Sequence, residues 1–405
     1  MTGQPSAAAA VVGTGAGPTF VAGRARLALP SAVTDWGAAI SRFGPFDELD
    51  VDGVLEHLAR PDLALHALVE TVPLGGRVRL TLPNVAFADR VLTLLDGRWA
   101  DTAVRRSFTR ETASELAVVC GLSVVEVEEH PAVPADGDRA ATVLGDRLDD
   151  VASFTLHGER TRRGTIPVPT LFAPAVDYTT LFQRGDGTCH SREIELLRGC
   201  RRVVEVAPAA DMTHWLTDLG HRVTVVDRAV PSASRRWADR VVVGDLDLDD
   251  WPAQIEASTD AVLLGNVIEH VVDPVAVLRD AVRCLDRSST IEPRVVVSVP
   301  NVAHADVRIA LASGRWTYRD TGILDRTHLH FFTADRLTDV ADAADLDVVA
   351  QRSTRLPRGA SVNAVSWNAG AAGGAGSTAP APVLDLVDGD PDADIHVFTW
   401  ALRPR

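Results

Sequence analysis

Two short segments each combine histidine with a carboxylate, side chains able to move a proton near neutral pH. One reads Asn266-Val267-Ile268-Glu269-His270-Val271-Val272-Asp273-Pro274, the other Asp325-Arg326-Thr327-His328-Leu329-His330. His270, Asp325, His328 and His330 are the acid–base candidates, since imidazole titrates closest to pH 7 and a carboxylate can orient it. Asp325 and His328 stand three apart in one loop. A second group, Glu205, Asp227 and Asp245, lies within or just after the Val-rich runs Val203–Ala207, Val223–Val226 and Val241–Gly244. In open α/β sheets ligands sit beyond the carboxyl ends of the strands. The loop after the first run and the acid ending the second are therefore the positions that test for a bound cofactor.

The elements needed to hold these residues are written in the apolar pattern. From about 192 to 345, strand-like runs alternate with helical periodicity, the mark of a doubly wound, mostly parallel sheet. Ala261–Leu264 and Val295–Val299 continue the strands, and Pro274–Leu285 puts Val275, Val277, Leu278 and Val282 on one helical face. Near-continuous Val suits strands covered on both faces. Leu346–Ala350 and Ile395–Ala401 read as a closing antiparallel pair, with a flexible Ala/Gly/Ser/Pro insertion at about 368–382.

The chain also repeats itself. Pro83-Asn84-Val85-Ala86-Phe87-Ala88-Asp89, running on to Gly97-Arg98-Trp99, recurs as Pro300-Asn301-Val302-Ala303-His304-Ala305-Asp306 and Gly314-Arg315-Trp316, with 10 identities in 17 positions. Val54-Leu55-Glu56-His57 matches Val267-Ile268-Glu269-His270, and Phe154-Thr155 matches Phe398-Thr399. The first unit's strands, Glu48–Val54, Arg77–Leu82, Leu122–Glu128 and Val151–Leu156, correspond to the fourth to seventh strands of the second. Nothing in it answers to 200–235. Eight residues separate Trp99 from Phe108, against fifteen between Trp316 and Phe332, so the Asp-Arg-Thr-His segment is missing from the first copy. The expected organisation is a disordered tail at 1–23, a truncated and catalytically silent α/β unit at 24–160, a linker at 161–190 and a complete unit at 191–405. The two repeats are expected to pair within the chain. Gly13-Thr14-Gly15-Ala16-Gly17-Pro18 looks like the start of a dinucleotide loop. It is read as part of the tail, because Pro18 and a non-periodic segment follow it.

Composition narrows the function classes. The chain has 405 residues, a net charge of −15 and no Lys among its 40 basic side chains, which disfavours nucleic acid as a partner. No apolar run reaches transmembrane length and no basic region precedes the N-terminal Ala run, so a cytoplasmic protein without membrane insertion is expected. Cys120, Cys189, Cys200 and Cys284 show no Cys-x-x-Cys spacing. They are read as reduced thiols, and no metal site is expected.

Taken in order, the segments 203–213, 219–227, 241–245 and 266–274 resemble class I methyltransferases that use S-adenosylmethionine. The segment Thr317-Tyr318-Arg319-Asp320-Thr321-Gly322-Ile323-Leu324-Asp325-Arg326-Thr327-His328-Leu329-His330-Phe331-Phe332-Thr333, with Pro300–His304, is similar to a subfamily associated with glycosyltransferases and glycan synthesis. The resemblance implies a Rossmann-like fold. It also implies that Asp227 accepts from the ribose hydroxyls, that Asp245 and Leu246 lie along the adenine, and that Asn266 and Val267 line the cofactor near its methyl group. Glu205, Ala207, Ala209 and Asp211 would occupy the loop that the family writes acidic-x-Gly-x-Gly-x-Gly. All three glycines are replaced, adding side chains where the backbone must approach a ligand. The reading that follows is an S-adenosylmethionine-dependent O-methyltransferase of a sugar, glycan precursor or related small molecule, with glycosyltransferases as possible partners. The alternative is a pseudo-methyltransferase acting as a binding or scaffold protein in glycan biosynthesis. A nicotinamide-dependent oxidoreductase ranks third, for want of phosphate-binding glycines in the second unit.

Overall fold

The computed structural model describes residues 9–13, 19–21, 24–28, 45–99, 104–161, 169–177, 184–209, 211–256, 258–288, 290–361 and 380–405. Most of the expected insertion therefore lies outside the described residues. The described chain forms two seven-stranded sheets. The first contains β1 (Ala9–Gly13), β2 (Thr19–Val21), β3 (Arg24–Ala28), β4 (Glu48–Asp52), β5 (Arg77–Pro83), β6 (Leu122–Pro131) and β7 (Val151–Arg160), in the order β2-β3-β1-β4-β5-β7-β6. The second contains β8 (Arg202–Val206), β9 (Arg222–Asp227), β10 (Arg240–Val243), β11 (Ala261–Gly265), β12 (Arg294–Pro300), β13 (Leu346–Arg355) and β14 (Ile395–Pro404), in the order β10-β9-β8-β11-β12-β14-β13. Strands β8 to β12 run parallel, and β14 returns antiparallel between β12 and β13. The expected doubly wound sheet and its antiparallel closing pair are both present.

The first unit is less truncated than its sequence suggests. Strand β1 lies parallel between β3 and β4, in the place that β8 holds in the second sheet, so a segment expected to be a disordered tail contributes strands. Ala9 faces Glu48 as Val203 faces Ala261, and Glu48 and Ala261 are the same step of the repeat. This register sets Gly13 level with Ala207. The likeness ends at β3, which is followed in space by the antiparallel β2 rather than by a third parallel strand.

The strongest repeat has a structural purpose. Asn84 Nδ2 donates to the Val151 carbonyl and Asn301 Nδ2 to the Ile395 carbonyl, both at 2.9 Å, fixing the end of β5 and of β12 to the returning strand. Each Asn Oδ1 also accepts from the amide two residues on, opening the next helix. The same pairing recurs deeper in each sheet, where Thr81 meets Thr155 and Ser298 meets Thr399 through their hydroxyls. A buried polar group without such a partner would cost about 1–3 kcal/mol.

The second sheet has apolar clusters on both faces, one built on Val204, Val262 and Val297 and the other on Val203, Leu263 and Val296. A further cluster belongs to both units. In it the helix Ala88–Leu95 meets Ala305–Ala312, and Gly137–Leu144 meets Ala381–Asp388. Trp99 stacks on Trp316, with ring centroids 5.3 Å apart and planes 18° from parallel. Trp99 and Trp316, and likewise the first helix pair, are repeat equivalents in contact with each other, the geometry of a two-fold interface contained in one chain. Within the linker, Phe172 is buried against the first core. Trp99→Ala should cost about 3–5 kcal/mol, as for other buried aromatics. Adding Trp316→Ala should cost less than a second such step, because the two rings share one contact. Urea denaturation of the two single variants and the double variant measures both quantities.

Candidate functional site

The carboxyl ends of β8, β9, β10 and β11 present most of the candidates along one edge. After β8 the chain turns through Ala207, whose φ of +50° is left-handed and whose amide donates to the Val226 carbonyl at 2.8 Å. Asn266, directly after β11, has φ +53°. Both lie in a region that glycine enters without penalty and other L-residues enter at a cost of about 1–2 kcal/mol. The loop thus keeps a glycine-like backbone after losing the glycine. Ala207 and Asp211 are exposed, Ala209 half-buried, and Asp211 makes no side-chain cap to the helix Met212–Asp218.

Glu205 points inward. It is 2% exposed, and the Thr213 hydroxyl donates to its Oε2 at 2.7 Å, fastening β8 to that helix. Burial raises its pKa to about 8, with the neighbouring Glu193 adding to the rise. Asp227 ends β9 half-buried, its Oδ1 accepting from the Ala229 amide at 3.1 Å. Asp245 accepts from the Asp247 amide and lies 3.5 Å from the Arg228 guanidinium, and Leu246 packs on the core below. Val267 is buried behind Asn266.

The acid–base candidates do not act as the pair that their spacing suggests. Asp325 Oδ1 accepts from the Thr327 hydroxyl at 2.7 Å, and the same hydroxyl lies 3.0 Å from His270 Nδ1. With the Thr327 hydroxyl donating to Asp325, its oxygen is placed to accept from His270 Nδ1–H, and the Thr327 backbone also hydrogen-bonds the ring. His328 Nδ1 lies 3.0 Å from the Ile323 carbonyl, which can only accept, so this ring carries its lone pair on Nε2. The two rings are 4.7 Å apart. Burial lowers His270 to about 4 and His328 well below its ordinary value, so both are neutral at pH 7. His330 turns aside, its Nε2 3.3 Å from the Val272 carbonyl, and burial lowers it to about 4.

Three charged groups that the sequence analysis did not single out converge here. Glu269 is 1% exposed, and neither carboxylate oxygen has a hydrogen-bond partner. Burial first, then Asp325 and Glu193, holds its pKa well above the usual carboxylate range. Glu193, from the helix Cys189–Leu196, accepts from the Ser298 hydroxyl at 2.6 Å and is raised to about 7 by burial. A Cβ at Gly265 would fall 2.8 Å from Glu193 Oε1, so only glycine ends β11 without displacing that carboxyl. Arg106 comes from the first unit: its Nη1 donates to the Arg326 and His328 carbonyls at 2.7 and 2.9 Å. Its guanidinium carbon lies 4.5 Å from the Phe172 ring centroid and 5.9 Å from that of Tyr318. The Glu-His pair shared by both copies was the one available signal for Glu269. A carboxyl buried on a preceding helix and an Arg bonded to distant carbonyls leave none.

Residues 188–351 match the family model described as a methyltransferase domain. No curated protein matches the chain. Among solved structures, it resembles the Burkholderia thailandensis 1,6-didemethyltoxoflavin-N1-methyltransferase, solved with bound 1,6-didemethyltoxoflavin and S-adenosylhomocysteine. That likeness has 18% identity and a TM-score of 0.33, over 54% of this chain and 79% of that one. A SAM-dependent methyltransferase from Archaeoglobus fulgidus is similar at 12% identity and a TM-score of 0.34, over 52% and 90%. The O-methyltransferase of neocarzinostatin biosynthesis, in complex with S-adenosylhomocysteine and 1,4-dihydroxy-2-naphthoic acid, gives 16% and 0.28, over 50% and 49%. No helix among the described residues is long and apolar enough to cross a membrane.

Two substitutions test this geometry. In the folded protein Glu205 keeps its proton up to about pH 8, whereas its ordinary value is 4.5. Its contribution is therefore intact below pH 4.5 and is lost as pH rises through that window. Glu205→Gln should gain several degrees of melting temperature on the wild type between pH 5 and pH 8.5 in paired thermal scans. Ala207→Gly should relieve the left-handed alanine, offset by about 0.5–1 kcal/mol of glycine chain entropy. A net gain of up to about 1 kcal/mol in denaturant stability is expected, and a loss would show that the turn is not strained.

Proposed function

We propose that the C-terminal unit is an S-adenosylmethionine-dependent O-methyltransferase acting on a hydroxyl of a sugar, glycan precursor or related small molecule. The observation that carries the reading is the shared edge of the sheet. The left-handed turns at Ala207 and Asn266 and the carboxylate of Asp227 follow neighbouring parallel strands, and the His270–Thr327–Asp325 chain begins four residues after Asn266. The backbone at Ala207 fits the cofactor as a glycine would, and Asp227 can accept from a vicinal diol. Asp245, Leu246 and Val267 complete that side, and Asp211 is available to the cofactor's amino group.

The bound cofactor would supply an electrophilic methyl group on its sulfonium. The chain's own residues hold the acceptor in line and receive the hydroxyl proton. His270 Nε2 is the receiving atom, with its ring orientation fixed through Thr327 by Asp325. His328, its Nδ1 tied to Ile323, presents a second lone pair across from it. The degenerate N-terminal unit braces the acceptor loop through Arg106, and glycosyltransferases are the partners that the loop's resemblance suggests.

Calorimetric titration of S-adenosylmethionine and S-adenosylhomocysteine into the full chain tests the reading. Binding in the micromolar range is expected, weakened about tenfold or more in Asp227→Ala, equivalent to about 1.4 kcal/mol or more. No binding by folded protein would favour the non-catalytic alternative, for which the glycine-free loop is the supporting observation.

A further inference from the structure

We propose that Glu269, His270 and His328 form a binding site for one divalent transition-metal ion. One ligand atom from each of these residues lies within 4.8 Å of the other two. Each Nδ1 lies 3.0 Å from a hydrogen-bonding neighbour, Thr327 for His270 and the Ile323 carbonyl for His328, an arrangement that favours metal binding through Nε2. A metal-binding histidine is oriented in this way, through a hydrogen bond from its second nitrogen. The third donor is the carboxylate of Glu269, buried with both oxygens lacking a hydrogen-bond partner. An ionised carboxylate in that position is costly without a compensating charge, and a cation is the partner that would satisfy it.

Two nitrogens and one carboxylate oxygen suit zinc or cobalt(II), with a fourth position open to a water or hydroxyl oxygen. Tetrahedral bonds of about 2.1 Å place ligands about 3.4 Å apart, so the donors need to close in by no more than about 1.4 Å on binding. The charges around the cluster are Asp325 and Glu193, which favour a cation, and Arg106, which opposes one. The first unit supplies an internal comparison. It keeps Glu56 and His57, and Glu56 Oε2 is also buried without a partner, but the segment that brings the third donor is absent. One such site follows among the described residues. Use of the open position for an acceptor hydroxyl rests on the methyltransferase reading; the binding of the ion does not. With the ion bound, the His270 and His328 rings are ligands, so proton acceptance by His270 belongs to the metal-free protein.

The test uses full-length protein without an affinity tag, stripped with chelator and titrated with cobalt(II) in the absence of S-adenosylmethionine. One equivalent should bind and give visible d–d absorption, displaced by zinc. Glu269→Gln, which preserves shape, and His328→Ala should each weaken binding about 100-fold, and Thr327→Val about tenfold through the lost support of His270. His214→Ala, which removes a surface histidine paired with Asp218, should change nothing. Failure of the wild type to bind cobalt(II) or zinc overturns the proposal, as does binding that survives Glu269→Gln unchanged. Because no cofactor is added, a methyltransferase without a metal and a metal protein without methyltransferase activity give different results.

Discussion

The apolar seam between the repeats is the constraint on which the rest depends. Its centre is the stack of Trp99 on Trp316, flanked by Phe331, whose ring lies 5.1 Å from Trp316. Phe331 belongs to the same stretch as His328 and His330. The seam therefore carries the loop that bears these histidines, and its position relative to β11 is settled by packing between units as well as by contacts within one. The Leu329 and His330 amides, both donating to the Glu269 carbonyl, complete the attachment. The first unit repeats this detail, its Arg105 and Arg106 amides donating to the Glu56 carbonyl.

Arg106 shows what a copy without the long loop can still contribute. Its own unit supplies the Ala59 carbonyl, the linker the face of Phe172, and the other unit two carbonyls and Tyr318. Burial lowers its pKa to about 10, which leaves the guanidinium charged at neutral pH. A buried cation bonded to carbonyl oxygens fixes backbone in place, and the backbone it fixes bears His328. The partial charges of those carbonyls are spread along the loop, so the positive charge is met without a carboxylate being drawn away from the site.

Much of the fold was legible because it is written in repeated local patterns. Val-rich runs mark strands covered on both faces, and the Asn84 and Asn301 segments recur because each makes the same two hydrogen bonds. What escaped the sequence depended on distant partners. Ala9–Gly13 is a short Ala-rich strand whose only evidence is its pairing with β3 and β4. Asp325 and His328 looked like a pair at their spacing, but the side chain of Thr327 stands closer and diverts the carboxylate toward His270. Glu193 became visible only once Ser298 and Gly265 were seen to make room for it.

One contact on the seam breaks the pseudo-symmetry. Arg308, 2% exposed, donates to the Leu95 carbonyl at 3.2 Å and pairs with Asp390 at 2.7 Å, while the equivalent position in the first repeat is the apolar Val91. Two separate identical subunits could not differ in this way, since any residue placed on one side of their dyad must appear on the other. Joining the halves into one polypeptide removes that duplication. Each side of the seam is then free to change alone, as Arg308 and Val91 have done.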